Sequence, residues 1–160
     1  MVDVVTETEI RRPPEAVYAY AANPDNAPAW YSNIKAVSWE TAPPLAVGSK
    51  VAFKAQFLGR TLEYVYEFTE LDPGRRLVMR TAQGPFPMQT TYTWSAADAG
   101  YTRMTLRNAG APAGFSAVAG IVMAPMMRRA MRKDLAKLKS LLEGDGSRAT
   151  EEKTQRKDKS

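Results

Sequence analysis

The chain of 160 residues contains neither cysteine nor histidine. Without cysteine there is no disulfide framework, no thiolate zinc site, no iron-sulfur cluster and no thiol nucleophile. Without histidine there is no Ser-His or Cys-His couple, no imidazole ligand for haem or zinc, and no side chain whose unperturbed pKa lies near neutrality. Most familiar hydrolase and metalloenzyme chemistry is thereby excluded, and no metal or other cofactor is implied. What remains is binding, or chemistry by carboxylates, Tyr, Arg and Lys. Long apolar runs are missing as well: the longest, Phe115 to Met127, is interrupted by Gly120 and Pro125 and falls short of the ~20 residues of a spanning helix. The N-terminus, Met1-Val2-Asp3-Val4-Val5-Thr6-Glu7, carries acids early and no basic segment ahead of an apolar one, so no targeting signal is read and a cytoplasmic location is expected. No G-x-G-x-x-G or P-loop string occurs, and Ser32-Asn33-Ile34-Lys35 matches S-x-x-K without its companion elements.

The formal charge of +5 has one source. Glu143 to Ser160 balances five basic against five acidic residues. Arg128, Arg129, Arg132, Lys133, Lys137 and Lys139 face only Asp134 within their own stretch. Cations near a helix C-terminus complement its dipole and aid solubility. They also suit contact with an anionic membrane surface through Arg128, Arg129, Arg132 and Lys133. Nucleic acid is not expected, because no aromatic residues interleave with these charges to make a stacking platform.

Along the chain, Val2 to Arg11 alternates as a half-buried strand. Pro13-Pro14-Glu15 opens a helix with apolar Val17, Tyr18, Ala21 and Ala22, and Asn23-Pro24-Asp25 stops it and starts a second short one ending near Trp30-Tyr31. From Ile34 to Asn108 the texture changes to period two, broken by turn signals such as Asp72-Pro73-Gly74 and Asp98-Ala99-Gly100. Successive antiparallel strands follow, with one apolar face. Val37 and Trp39, then Val51, Phe53, Ala55 and Phe57, then Leu62, Tyr64, Tyr66 and Phe68 lie on it; so do Leu77, Met79 and Thr81, then Met88, Thr90, Tyr92 and Trp94, then Thr102, Met104, Leu106 and Asn108. Lys54, Gln56, Glu63, Glu67, Arg80, Gln89, Arg103 and Arg107 alternate onto the other face. A sheet wet on one side needs a cover, and Gly114 to Leu142 supplies a helix through Phe115, Val118, Val122, Met126, Ala130, Leu135, Leu138 and Leu142. Pro125 lacks the amide that would bond Ile121, so a kink is expected there. The segment 143–160 has no large apolar residue and reads as a disordered charged tail after a single domain at 1–142.

This order, together with Thr6-Glu7-Thr8-Glu9-Ile10 and Pro13-Pro14-Glu15-Ala16-Val17-Tyr18, Asn23-Pro24 followed by Trp30, Val47-Gly48-Ser49-Lys50-Val51, Phe68-Thr69-Glu70-Leu71-Asp72-Pro73-Gly74-Arg75-Arg76-Leu77 and the closing Asp134 to Leu142, resembles the START-like (SRPBCC) superfamily, in its polyketide cyclase/dehydrase and lipid-transport branch. The resemblance implies an α+β helix-grip (START/Bet v 1-like) fold. In it, a curved antiparallel sheet of about seven strands wraps a long C-terminal helix, with two short helices after strand 1. It also implies an elongated apolar cavity between sheet and helix. Such pockets run about 300 to 1,000 Å³.

The residues expected to line that cavity are Trp39, Phe53, Phe57, Tyr64, Tyr66, Met79, Met88, Tyr92, Trp94 and Asn108 from the sheet, and Phe115, Val122, Met123 and Met126 from the helix. Met123, Met126, Met127 and Met131 read either as ordinary core or as a wall that adapts to irregular contents. The inward phenols, with Thr81, Thr90, Thr102 and Asn108, bring polar groups onto a face that packing alone would fill with Val, Ile or Leu. Each left unpaired costs about 1 to 3 kcal/mol, which favours a partly wet cavity. The expected partner is therefore an apolar or amphipathic small molecule such as a lipid, polyketide or isoprenoid. The alternative is a polyketide cyclase or dehydratase acting on a ligand so bound, with Tyr64, Tyr92, Asn108 and Arg107 in its parts, although no catalytic residue is fixed by a motif. Glu63 and Glu67, about 13 Å apart along a strand, are too distant for a glycosidase carboxylate pair.

Overall fold

A computed structural model describes the backbone of residues 2–57, 59–83, 87–110 and 117–158, and the side chains of these apart from 57, 117–122 and 145–158. Strand β1 (Val2–Ile10) is followed by helix α1 (Pro14–Ala21), a 3-10 turn (Pro24–Asn26) and the one-turn helix α2 (Ala27–Trp30). Strands β2 (Ile34–Trp39), β3 (Lys50–Phe57), β4 (Arg60–Asp72), β5 (Arg76–Gln83), β6 (Met88–Ala96) and β7 (Thr102–Gly110) come next, and helix α3 (Ala117–Asp158) ends the chain. The expected start signals operate locally. Pro14 occupies the first turn of α1, where a missing N–H costs nothing. The side chain of Asn23 accepts a 3.1 Å hydrogen bond from the Asp25 N–H and so caps the turn that leads into α2.

The seven strands form one antiparallel sheet in the order β1-β7-β6-β5-β4-β3-β2. Its alternation follows the sequence: Val51, Phe53, Ala55, Leu77, Met79, Tyr92, Met104 and Leu106 are buried on one face, while Lys54, Gln56, Glu63, Arg80, Arg103 and Arg107 are exposed on the other. The register of β4 against β5 shifts between Phe68 and Glu70. A bulge of this kind bends a strand and raises its twist, in keeping with a sheet that curves around its cover. Gly110 closes the β6-β7 pair where a Cβ would stand 2.3 Å from the Pro87 carbonyl oxygen, so no larger residue fits.

Helix α3 lies against β1 and α2. Met131, Leu135, Leu138 and Leu142 recur at helical spacing and are all buried, with Leu138 at 0% exposure. The end of this stripe is tied to the chain just past β1. The Arg11 N–H donates to Glu143 Oε1 at 2.9 Å, the Arg12 guanidinium to the Leu142 carbonyl at 3.1 Å, and Lys139 to the Glu9 carbonyl. Lys139 also pairs with Glu143 one turn later at 2.9 Å. The helix runs on through Pro125 and into the charged segment as far as Asp158. That differs from the disordered tail read from composition. Lys, Glu, Gln and Arg lower apolar content but are good helix formers.

Replacing Leu138 by Ala removes a fully buried side chain from the helix-sheet contact. Urea unfolding should show a loss of about 2 to 5 kcal/mol; an unchanged midpoint would mean that this stripe does not hold the helix down.

Candidate functional site

In front of the buried stripe of α3 the inward face of the sheet is not filled. A partly open cavity of about 180 Å³ lies between β3 to β7, the α1-α2 connection and the side chain of Met127. This is smaller than the 300 to 1,000 Å³ expected for a ligand pocket. It is comparable with cavities of about 150 Å³ that take up a benzene ring. Its floor is buried and mostly apolar, with Phe53, Ala55, Phe68, Leu77 and Met79, while Asn33, Ile34, Tyr64, Met88, Asn108 and Met127 are half-exposed around it.

Two hydrogen-bonded groups furnish the wall. In the first, Tyr31, which caps the end of α2, bonds through its hydroxyl to that of Tyr92 on β6. Tyr92 stands in an aromatic band, with its ring 5.8 Å from Trp30 and 5.9 Å from Trp94, the latter edge-on. In the second, Thr90 donates to Asn108 Oδ1 at 2.6 Å across the β6-β7 pair. The Tyr66 hydroxyl bonds to the same Thr90. Because an amide oxygen can only accept, the Thr90 proton is committed to Asn108 and Tyr66 must be the donor to Thr90. Among the described residues nothing takes up the Asn108 amide N–H groups or the Tyr64 hydroxyl, and both residues line the cavity.

Burial dominates the protonation of all four phenols. Tyr31 is held well above the ordinary phenol range by loss of water, and then by Tyr92, Asp134 and Tyr66. Tyr92 is likewise raised by burial, against a lowering contribution from its bond to Tyr31. Tyr66 is pushed up to about 12 and Tyr64 is raised, both chiefly by burial. At neutral pH every hydroxyl in the wall is thus a neutral donor. The described wall contains no Lys, Arg, Asp or Glu. Behind Tyr31, Asp134 on α3 is 4% exposed and accepts from the Ser32 N–H at 3.1 Å. Burial raises its carboxyl, and the Ser32 bonds and Lys133 only partly oppose this.

Of the residues expected from sequence, Phe53, Tyr64, Tyr66, Met79, Met88, Tyr92 and Asn108 come together on this wall. Trp94 is buried beyond it, its ring 5.1 Å from Tyr18 and edge-on. Trp39 donates its indole N–H to Asp25 at 2.8 Å. Met123 packs half-buried against the core and Met126 is 46% exposed. Phe115 and the side chains of Phe57 and Val122 lie outside the described residues. Met127, one of the four methionines read either as core or as an adaptable wall, lines the cavity. Tyr31 and Asp134 are not among the residues expected there; spacing points to the second, since 127, 131, 134 and 138 form one stripe of α3 and an acid within an apolar stripe signals a buried carboxylate.

Comparison with known proteins places this geometry. The profile of the family described as polyketide cyclase/dehydrase and lipid transport matches residues 1–143. No curated protein sequence matches the chain. Among solved structures, a START superfamily protein from Mycobacterium smegmatis superposes with a TM-score of 0.77 at 12% identity, covering 89% of this chain and 97% of that one. The TTHA0849 protein of Thermus thermophilus gives 0.75 at 17% identity, over 89% and 98%. The Zhui aromatase/cyclase from a Streptomyces species gives 0.69 at 14%, over 92% and 94%. At such identities the likeness is one of fold.

Replacing Asp134 by Asn keeps an oxygen for the Ser32 N–H and removes the buried charge. With the folded carboxyl raised above its ordinary value of 3.8, its favourable contribution is present below that value and is lost as pH climbs through the raised one. The variant should therefore be at least as stable as the parent at pH 7, with the advantage gone below pH of about 4, the ordinary carboxyl range. Thermal melts at both pH values check this; a large loss at pH 7 would mean that the ionised carboxylate is held by partners stronger than Ser32.

Proposed function

The chain belongs to the polyketide cyclase/dehydrase and lipid transport family, and we propose that it binds an amphipathic small molecule in the cavity between the sheet and α3. The observation that carries this reading is the wall itself: an apolar floor with a few convergent, neutral hydroxyl and amide donors. Apolar area removed from water supplies the affinity, at about 25 cal/mol per Å². Tyr64 and the Asn108 amide orient a carbonyl or hydroxyl oxygen. The volume of about 180 Å³ suits a single ring or a short chain, or that part of a longer lipid, polyketide or isoprenoid, with the remainder leaving past Met88 and Met127.

Catalysis of a cyclisation or dehydration is the second reading, favoured by Asp134 standing behind the Tyr31-Tyr92 pair and by the likeness to an aromatase/cyclase. General acid-base work calls for a group that titrates near the working pH. The wall offers only phenols raised above theirs, which is why binding is placed first.

Acetophenone, a single ring with one carbonyl, is a suitable probe. Titration followed by ligand-observed NMR should show saturable binding. Tyr64→Phe and Thr90→Val should each weaken it about twofold to tenfold, the equivalent of one neutral hydrogen bond, and Met127→Trp should abolish it by filling the space. Saturation that is indifferent to all three variants would put the ligand elsewhere. If the protein is instead a cyclase, Tyr92→Phe should cut turnover of a poly-β-ketone by orders of magnitude while leaving its binding within a few-fold.

The reading extends to a membrane surface. Arg128, Arg129, Arg132, Lys133 and Lys137 are all exposed on α3, no acid is exposed between Pro125 and Ser140, and exposed Met126 adjoins Met127 of the cavity wall. Each cation near an anionic bilayer contributes about 1 kcal/mol. Sedimentation with vesicles containing phosphatidylserine should therefore retain the protein, and Arg128→Glu with Arg129→Glu and Arg132→Glu should release it without changing acetophenone binding. Equal retention on neutral phosphatidylcholine vesicles would contradict this contact.

A further inference from the structure

The cavity combines many polar groups with no charge, and this sets a rule for what it admits. Its described wall carries phenols, a threonine and asparagines but no ionisable cation or acid. The stretches flanking it in sequence that are outside the described side chains, 57–58, 84–86 and 111–122, contain no charged residue either. The titratable groups that face it are Tyr31 after α2, Tyr64 and Tyr66 on β4, Tyr92 on β6 and, behind Tyr31, Asp134 on α3. The nearby cations Lys35 and Lys133 are not part of the described wall: Lys35 donates to the Ser32 carbonyl at 3.0 Å, and Lys133 is exposed beside Asp134.

An anion entering this space would lose its water, find no counter-charge, and approach a buried carboxylate. A charge moved out of water is tolerated only where a partner and hydrogen bonds compensate it. A neutral oxygen meets no such penalty and finds donors in place at Asn108 and Tyr64. We infer that the cavity selects a neutral guest bearing a hydrogen-bond-accepting oxygen, such as a ketone, ester or alcohol, and rejects the same skeleton carrying a carboxylate. This rests on the cavity-binding reading above and adds to it the chemical class of the ligand. It separates an ester, ketone or alcohol cargo from a free fatty acid.

Acetophenone and benzoate test the rule, since they have the same ring and nearly the same shape and differ by a methyl group against an ionised oxygen. At pH 8 acetophenone should bind at least about tenfold more tightly than benzoate. As pH falls from 8 towards 5, the apparent affinity for benzoate should rise about tenfold per unit, following the neutral acid as it approaches a carboxyl pKa of about 4.3, while that for acetophenone stays flat. A cation at the rim, Met127→Lys, should raise benzoate affinity about tenfold or more at pH 8, and it changes a half-exposed residue rather than the buried floor. Benzoate binding as tightly as acetophenone, with a flat pH profile, would overturn the selection rule and leave cavity binding standing. Binding of neither compound would overturn both.

Discussion

The architecture depends on how little of α3 is used to hold it. Among the described residues of α3, the apolar side chains of Met131, Leu135, Leu138 and Leu142 are fully drawn into the core, and a short cluster of bonds around Glu143, Lys139 and the chain after β1 fixes the end of that stripe. Burying each such apolar side chain stabilises by about 1.5 to 3 kcal/mol, enough to seat the helix over the β1 side of the sheet. Among the described residues, Met127 is the one that α3 contributes to the wall over β3 to β6. The cavity lies where the curved sheet extends beyond the part that the buried stripe of the helix covers.

That remainder could have been closed by larger aliphatic side chains. Instead the sheet presents Tyr64, Tyr66, Thr90, Tyr92 and Asn108, with Tyr31 reaching in from the α2 end. Most of these groups satisfy one another: Tyr31 with Tyr92, and Tyr66 through Thr90 to Asn108. Paired hydroxyls avoid the penalty of a buried orphan and stay neutral in a place where water is scarce. The polar wall is thus self-supporting and keeps a small surplus of donors facing inward. Apart from the buried carboxyl of Asp134, the charges of the sheet and of α3 are sorted to their exposed faces.

The strands were legible because their two faces differ in kind. Phe53 and Ala55 alternate with Lys54 and Gln56, and Met79 precedes Arg80, so a slip of one residue would have buried charge. The phenols on β4 and β6 followed from the same period. What was not legible lies where no period operates. Tyr31 stands after a helix of one turn, and its place over the cavity is set by tertiary packing of Trp30. Of the methionines that spacing alone offers as a wall, Met127 lines the cavity and Met126 is exposed, a choice that the phase of α3 near Pro125 decides. Trp39 and Trp94 share the inward face by parity, but curvature carries them to other neighbours, Asp25 and Tyr18. Parity states which side a residue is on and does not state how far along a bent surface it lies from the hollow.

Anchorage and capacity reside in different residues. The fastening runs from Met131 to Leu142 on α3, whereas Ala55 on β3 and Met88 on β6 are among the residues that line the chamber, and substitutions at distant sites without shared partners add with little interaction. Room can therefore be enlarged or narrowed while the clasp keeps its grip. In such a scaffold a lineage can reshape the hollow by small steps, each leaving the fold intact.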